Sequence, residues 1–344
     1  MPWIRPGLVI QQPLDTAVFD VDGVLIDTTR SYRLAVIAAT EYLLSTHLGL
    51  WPLDGATPHA PVTLEDVAAF KLAGGFNNNW DLAFALTGLW TARLREWRGQ
   101  PEAALTLIDW AALAHQAAQR GQGGLVWARA TIPPSAQIDY DLAQSVHDEF
   151  YWGAKLTREL RGQEPAHILE APGLVHNEEV LAPETLLPDL YAGGVRHFAL
   201  ITGRVGPEVP WAIRVLRENT QPPTLEWPLT ASEWGATPFE VIVPGNQVAK
   251  PDPAALTLVA ERLDTRQGLY VGDTADDLSL VLNYQRAASA SAPPFLAVMI
   301  ASGREAELYR ERGADLVLPH IRELSSALAQ LATAAQPTQK QARP

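Results

Sequence analysis

Thr16-Ala17-Val18-Phe19-Asp20-Val21-Asp22-Gly23-Val24-Leu25-Ile26-Asp27-Thr28 is the stretch that decides how this chain reads. Its first four residues form an apolar run of strand length, and two carboxylates one residue apart follow that run, ahead of a glycine. Such a pair divides a phosphoryl transfer naturally: one carboxylate attacks, the other moves the proton. An isolated D-x-D-G is weak evidence. Here three further elements follow in order: Ile201-Thr202-Gly203-Arg204, then Lys250-Pro251-Asp252-Pro253, then Gly272-Asp273-Thr274-Ala275-Asp276-Asp277.

From Phe198 onward, short apolar runs alternate with amphipathic stretches. The runs are Phe198 to Ile201, Val241 to Val243, Leu269 to Val271, Phe295 to Ile300 and Asp315 to Leu318. That alternation predicts repeated βα units and a parallel sheet, with Thr16 to Asp20 as its first strand placed far upstream. Between Asp20 and Thr202 the periodicity is mostly helical, with stops at Gly74-Gly75, Gly99 and Gly121 to Gly124. The expected architecture is an α/β core, a Rossmann-like parallel sheet, with an inserted all-helical cap domain. The core is assigned residues 1–29 and 190–335, the cap 30–189, and a flexible tail 336–344. An insert leaving the carboxyl end of a strand starts at the edge where open α/β sheets bind ligands, so the cap is expected to cover the site.

In these motifs the chain resembles the haloacid dehalogenase superfamily, specifically its phosphatases and phosphomutases with a helical cap between the first and second motifs (subfamily IA-like). The resemblance spans most of the sequence. It implies that Asp20 is a nucleophile forming an aspartyl-phosphate and that Asp22 is the general acid and base. Relatives that dehalogenate or cleave carbon–phosphorus bonds lack an aspartate at the second position, so its presence points to phosphate esters. Lys250, in the Lys-Pro-x-Pro context the family uses, is implied to neutralise charge on Asp20 and the phosphate.

The residue chemistry supports the same roles. Thr202, with the exposed backbone of Gly203 and a helix beginning near Pro207, is suited to hold phosphoryl oxygens, and Arg204 is a candidate substrate contact. Asp273 and Asp277 sit four apart at a helix opening, where one carboxylate can bind a metal directly and the other directly or through water. Hard oxygen donors without Cys favour Mg²⁺, completed by Asp20 and the backbone carbonyl of Asp22. Asp276 is an alternative ligand, although the family spacing favours Asp277. Gly23 reads as a backbone position that a side chain would block.

Composition narrows the partners. Lys and Arg number 26 against 39 Asp and Glu, a net charge of −13, which repels polynucleotide phosphates and acidic membrane surfaces. A small phosphorylated metabolite is the expected partner, with no nucleic acid and no membrane. With 344 residues and 47% apolar content the chain can bury cores for two domains. It has no cysteine, hence no disulfide and no thiol nucleophile, and it shows neither a signal peptide nor a transmembrane run; a cytoplasmic location is expected.

Within the insert, Lys71 to Asp81 follows a helix opened by Thr63-x-x-Asp66, and related caps carry their substrate-reading loop in a similar place. Gly75, Asn77 and Asn78 are therefore substrate-binding candidates, although Gly-Gly and Asn also stop helices and form left-handed turns. The tryptophans of the insert, Trp80, Trp90, Trp97, Trp110, Trp127 and Trp152, read as core. The expected function is a Mg²⁺-dependent phosphatase; a phosphomutase, or a silent phosphometabolite-binding protein, uses the same core.

Overall fold

The computed structural model describes residues 1–10, 12–51, 61–73, 76, 78–98, 108–120, 124–220, 230–232, 235–289 and 291–334. The expected tail 336–344 lies outside the described residues. The chain divides into two compact units: Met1–Asp27 with Glu179–Pro344, and Thr28–Glu178. The second boundary thus falls at 178/179, not 189/190. Two features account for this. Strand β3 (Ile26–Asp27) pairs antiparallel with β4 (Glu179–Val180). Helix α7 (Leu186–Ala192) then buries Leu186, Leu187 and Leu190 in the sheet core.

The first unit is built on a seven-stranded sheet. Its strands are β1 (Trp3–Ile4), β2 (Thr16–Phe19), β5 (His197–Ile201), β8 (Val241–Val243), β9 (Gly268–Gly272), β10 (Phe295–Ile300) and β11 (Leu316–Leu318). The order is β1-β11-β10-β9-β2-β5-β8, and every pairing is parallel except that of the edge strand β1 with β11. A short antiparallel pair, β6 (Thr230–Ser232) with β7 (Gly235–Thr237), lies outside this sheet and was not anticipated from the sequence.

Successive residues of each strand project to opposite faces, and both faces are covered. Ala17, Phe19, Phe198, Leu200, Leu269 and Val271 enter one apolar cluster with α7, α8 (Glu208–Thr220) and α12 (Leu324–Ala334). Val18, Ala199, Ile201, Tyr270, Ala297 and Met299 enter the other. That second cluster is completed by α9 (Ala254–Leu263), α10 (Ala275–Ala287) and α11 (Gly303–Arg312). Burial on both faces explains why these strands read as continuous apolar runs. From β2 the chain proceeds outward through β5 and β8, then returns to β9 on the other side of β2. That reversal puts the topological switch point beside β2, and open α/β sheets bind ligands at the carboxyl ends of the strands there.

The second unit is helical: α1 (Tyr32–Tyr42), α2 (Leu64–Ala73), α3 (Asn79–Trp97), α4 (Trp110–Arg120), α5 (Gly124–Thr131) and α6 (Tyr140–Arg161). One apolar cluster holds it together, with Trp90, Trp110 and Trp127 inside and edge-on to one another or to Phe70 and Phe76. Trp152 is buried as well. Thr63 and Asp66 exchange hydrogen bonds ahead of α2 as the sequence signature requires. Helix α6 breaks at Gly153 (φ 72°), where a Cβ would come within 2.2 Å of the Gly173 nitrogen. Only glycine permits this close backbone crossing. No helix among the described residues is long and apolar enough to cross a membrane.

Candidate active site

The loop leaving β2 turns back on itself: the Gly23 N–H donates to the Ile26 carbonyl at 2.8 Å, and the Leu25 and Ile26 N–H groups both donate to Val21. Gly23 carries φ 76°, and a Cβ there would lie 2.0 Å from Asp273 Oδ2. The sequence reading of Gly23 as a position a side chain would block is therefore correct, and the blocked neighbour is a carboxylate of the fourth motif. This contact brings the loop after β2 against the loop after β9.

Asp20 is 3% exposed, and its backbone N–H extends the sheet by donating to Val271 O at 2.8 Å. Its Oδ1 accepts the Val21 N–H at 2.7 Å and its Oδ2 meets Lys250 Nζ at 2.7 Å. Burial raises the Asp20 carboxyl to about 7, helped by the negative charges of Asp277 and Asp22 and opposed by Lys250. Lys250 also reaches Asp277 Oδ1 at 2.7 Å, and its side chain is 2% exposed. Burial works against its charge, but the two carboxylates outweigh that cost and raise it above an ordinary lysine. Lys250 thus spans the gap between the loop after β8 and those after β2 and β9.

Asp277 is engaged differently from Asp273. Its Oδ1 accepts from Lys250 Nζ and from Tyr270 Oη at 2.6 Å. Its Oδ2 accepts from Thr274 Oγ1 at 2.7 Å, the Thr274 N–H at 2.9 Å and the Asp273 N–H at 3.2 Å. Burial favours its neutral form, yet Lys250 and these donors hold the carboxyl below its ordinary range. Asp277 is the N3 residue of a capping box opened by Thr274, and it is fully buried. Asp276 is half-buried in the first turn of α10. Asp273 is fixed from behind, since Tyr309 Oη donates to its carbonyl at 2.8 Å.

Tyr270, Thr274 and Tyr309 were not among the sequence-derived site residues. Thr274 was findable, because Thr-x-x-Asp at a helix opening is a capping signature. Nothing in an apolar strand or an amphipathic helix singles out one tyrosine.

Thr202 closes β5 with its N–H donating to Val243 O at 3.0 Å, and its Oγ1 accepts the Arg204 N–H at 3.1 Å. Gly203 is exposed; a Cβ on Gly245 would stand 2.7 Å from the Gly203 carbonyl, so these two loops pack backbone to backbone. Arg204 is not a solvated loop cation. Its side chain is fully buried, and its Nε and Nη2 lie 2.9 and 2.8 Å from Asp22 Oδ1, while Asp22 retains 27% exposure.

One oxygen from each of Asp20, Asp273 and Asp277 lies within 4.8 Å of the other two. An all-carboxylate donor set without imidazole or sulfur suits a hard cation such as Mg²⁺. The two Asp277 oxygens already accept from five donors.

In the helical unit, Asn78 is exposed and its Oδ1 accepts the Trp80 and Asp81 N–H groups at 2.8 and 3.4 Å, capping α3. Gly75 and Asn77 lie outside the described residues. Lys155 and Arg158 are solvent-facing.

No protein-family model matches the sequence, and no curated protein matches it. Solved structures do. A phosphatase, Tt82, from Thermococcus thioreducens aligns over 92% of this chain and 99% of its own at 23% identity and a TM-score of 0.55. A predicted phosphoglycolate phosphatase from Haemophilus somnus aligns over 92% and 99% at 12% identity and a TM-score of 0.49. A haloacid dehalogenase-superfamily hydrolase of subfamily IA from Geobacter sulfurreducens aligns over 93% and 100% at 17% and 0.40. The last two superpose too loosely to add to the first. The chain has the Rossmann-like α/β fold with an inserted helical cap expected from its motifs.

Proposed function

We propose that this protein is a haloacid dehalogenase-type phosphatase that hydrolyses a small phosphorylated metabolite through an aspartyl-phosphate on Asp20. The observation that carries the reading is the buried chain Asp20–Lys250–Asp277, set beside Asp273 at the carboxyl ends of β2 and β9. A carboxylate held in a nearly dry site and left in competition with neighbouring acids costs free energy to maintain, and that competition supports a reactive role for Asp20.

Asp20, Asp273 and the backbone carbonyl of Asp22 would hold Mg²⁺, with Asp277 outside the direct ligands. When bound, the ion would offset the negative charge of the phosphoryl group and of the carboxylates around it. In the first step an Asp20 oxygen bonds to phosphorus, the ester P–O bond breaks toward the leaving oxygen, and Asp22 protonates that oxygen. In the second step Asp22 takes a proton from water as the water oxygen bonds to phosphorus. The bond to Asp20 then breaks, freeing orthophosphate. Lys250 keeps its proton throughout and balances charge on Asp20 and the phosphoryl oxygens. Thr202 and the Gly203 N–H supply hydrogen bonds to those oxygens, aided by the start of α8. Asp277 and Tyr270 orient Lys250.

The test is release of phosphate from 4-nitrophenyl phosphate and a panel of phosphomonoesters with and without Mg²⁺, together with mass-spectrometric trapping of the phosphorylated peptide. Metal-dependent release with the label on Asp20 is the expected result. No release from any ester, or a label elsewhere, removes the proposal.

A further inference from the structure

Among the described residues, Arg204 is the buried cation near the site that the reaction above does not use. A loop arginine one residue after Thr202-Gly203 invites a phosphate-binding role, and the geometry argues against it. Its guanidinium is withdrawn from solvent, and two of its N–H groups converge on a single atom, Asp22 Oδ1. Its main chain is held from both sides: the N–H donates to Thr202 Oγ1, and the carbonyl accepts the Gly245 N–H at 3.1 Å. Neighbouring Val205 donates its N–H to Glu208 Oε2 at 3.0 Å. The arginine therefore stands on a rigid base and points its fork at the carboxylate assigned to proton transfer.

We propose that Arg204 is a positioning residue for Asp22: it fixes the side-chain rotamer and occupies Oδ1, leaving Oδ2 as the oxygen that gives and takes the proton. This rests on the phosphoryl-transfer reading and adds to it the atom through which Asp22 acts. Asp22 is 27% exposed where Asp20 and Asp277 are buried, so without a tether its carboxylate would sample several rotamers, and each misplaced one removes the acid or base from the reacting oxygen. Lysine would not substitute fully. A single ammonium is a point charge, whereas the guanidinium sets direction through two donors in a fixed plane. In the reaction, Oδ2 loses its proton to the leaving oxygen as the ester bond breaks and regains one from the attacking water. Arg204 remains charged in every state.

The experiment is a double-mutant cycle of Arg204→Met and Asp22→Asn, with Arg204→Lys as the conservative variant. Each protein is assayed at saturating Mg²⁺ on phenyl phosphate and on 4-nitrophenyl phosphate. The phenolate of the first ester needs a proton as it leaves; the nitrophenolate needs little help. Arg204→Met is expected to lower kcat on phenyl phosphate by about 10²-fold, within the range of a positioned acid or base. The loss on 4-nitrophenyl phosphate should be much smaller and KM nearly unchanged. Arg204→Lys should fall between wild type and Arg204→Met, and in the Asp22→Asn background the further change to Met should cost almost nothing. A raised KM, equal losses on both esters, or losses that add to those of Asp22→Asn would make Arg204 a substrate anchor and overturn the assignment. Should Arg204→Met fail to fold, Arg204→Lys keeps a cation of similar volume and carries the same comparison. A wild-type protein without metal-dependent phosphate release breaks the parent reading instead, so the two failures are distinguishable.

Discussion

Both units bury acidic side chains, and they do so to opposite ends. In the helical unit Glu149 is 4% exposed and receives the N–H groups of Ala166, His167 and Ile168 at 2.7 to 2.8 Å. Asp148 beside it accepts the Trp80 indole N–H at 2.7 Å and pairs with Arg161. These carboxylates hold a loop and a helix together. In the sheet unit Asp20 faces Lys250 on one side and two further acids on the other, and its carboxyl is pushed up to about 7 by burial. Burial of a charge is therefore not the mark of a reactive site. What separates the two cases is whether surrounding donors satisfy the charge or leave it in competition with its neighbours.

That contrast is broken or upheld first by Asp20→Asn. The amide keeps the shape but is no nucleophile, so phosphate release should fall to background. Melting temperature should hold or rise, because a buried charge crowded by like charges is lost. Calorimetry beside the activity assay reads both. A variant that unfolds instead, or one that keeps activity, would place Asp20 with the structural acids.

Asp277→Asn tests the intermediate case. Asp277 is both satisfied and coupled to the site, so its loss should lower stability by about 3 to 5 kcal/mol, as for one partner removed from a buried pair, and should also slow turnover. Asp273→Asn should instead raise the Mg²⁺ concentration for half activity with a smaller change in melting. The reverse pattern, a metal defect confined to Asp277→Asn, would restore Asp277 as the direct ligand.

How much of this was legible in the sequence follows the same division. The six parallel strands and the loops bearing Asp20, Thr202, Lys250 and Asp273 were readable because strand ends in such a sheet carry polar residues after apolar runs, whereas the strand order and the antiparallel edge strand β1 were not. Asp277 was singled out by its spacing, and the Thr274 capping box that engages its Oδ2 was in plain view as well. The Arg204–Asp22 pair joins residues far apart in sequence, and no local pattern announces such contacts. The boundary at 178/179 was missed for a related reason, since two-residue strands such as β3 and β4 have too few positions to show a period.

Glu149→Gln is the structural counterpart of Asp20→Asn. The amide keeps one acceptor oxygen but loses the charge that draws three N–H groups, a cost of about 1 to 3 kcal/mol. Thermal unfolding should begin earlier while kcat on 4-nitrophenyl phosphate stays near wild type at low temperature. An activity loss at a temperature where the variant remains folded would mean that the loop 166–168 bears on the chemistry.

The smallest effect is expected at Asn78, the cap residue proposed from sequence to read the substrate. Its Oδ1 accepts two N–H groups at the start of α3, which is what an N-cap does, and replacing such a residue by alanine costs about 1 kcal/mol. Aspartate caps equally well. If capping is the whole role, Asn78→Ala should lower the melting temperature slightly, Asn78→Asp should restore it, and kcat/KM for the natural substrate should be unchanged in both. A substrate role gives a different pattern: kcat/KM falls in Asn78→Asp as well, because an added negative charge repels a phosphorylated ligand, while a generic aryl phosphate is hydrolysed as before. The aspartate variant therefore decides between the two, since it keeps the helix start intact and changes only what the side chain presents to a ligand.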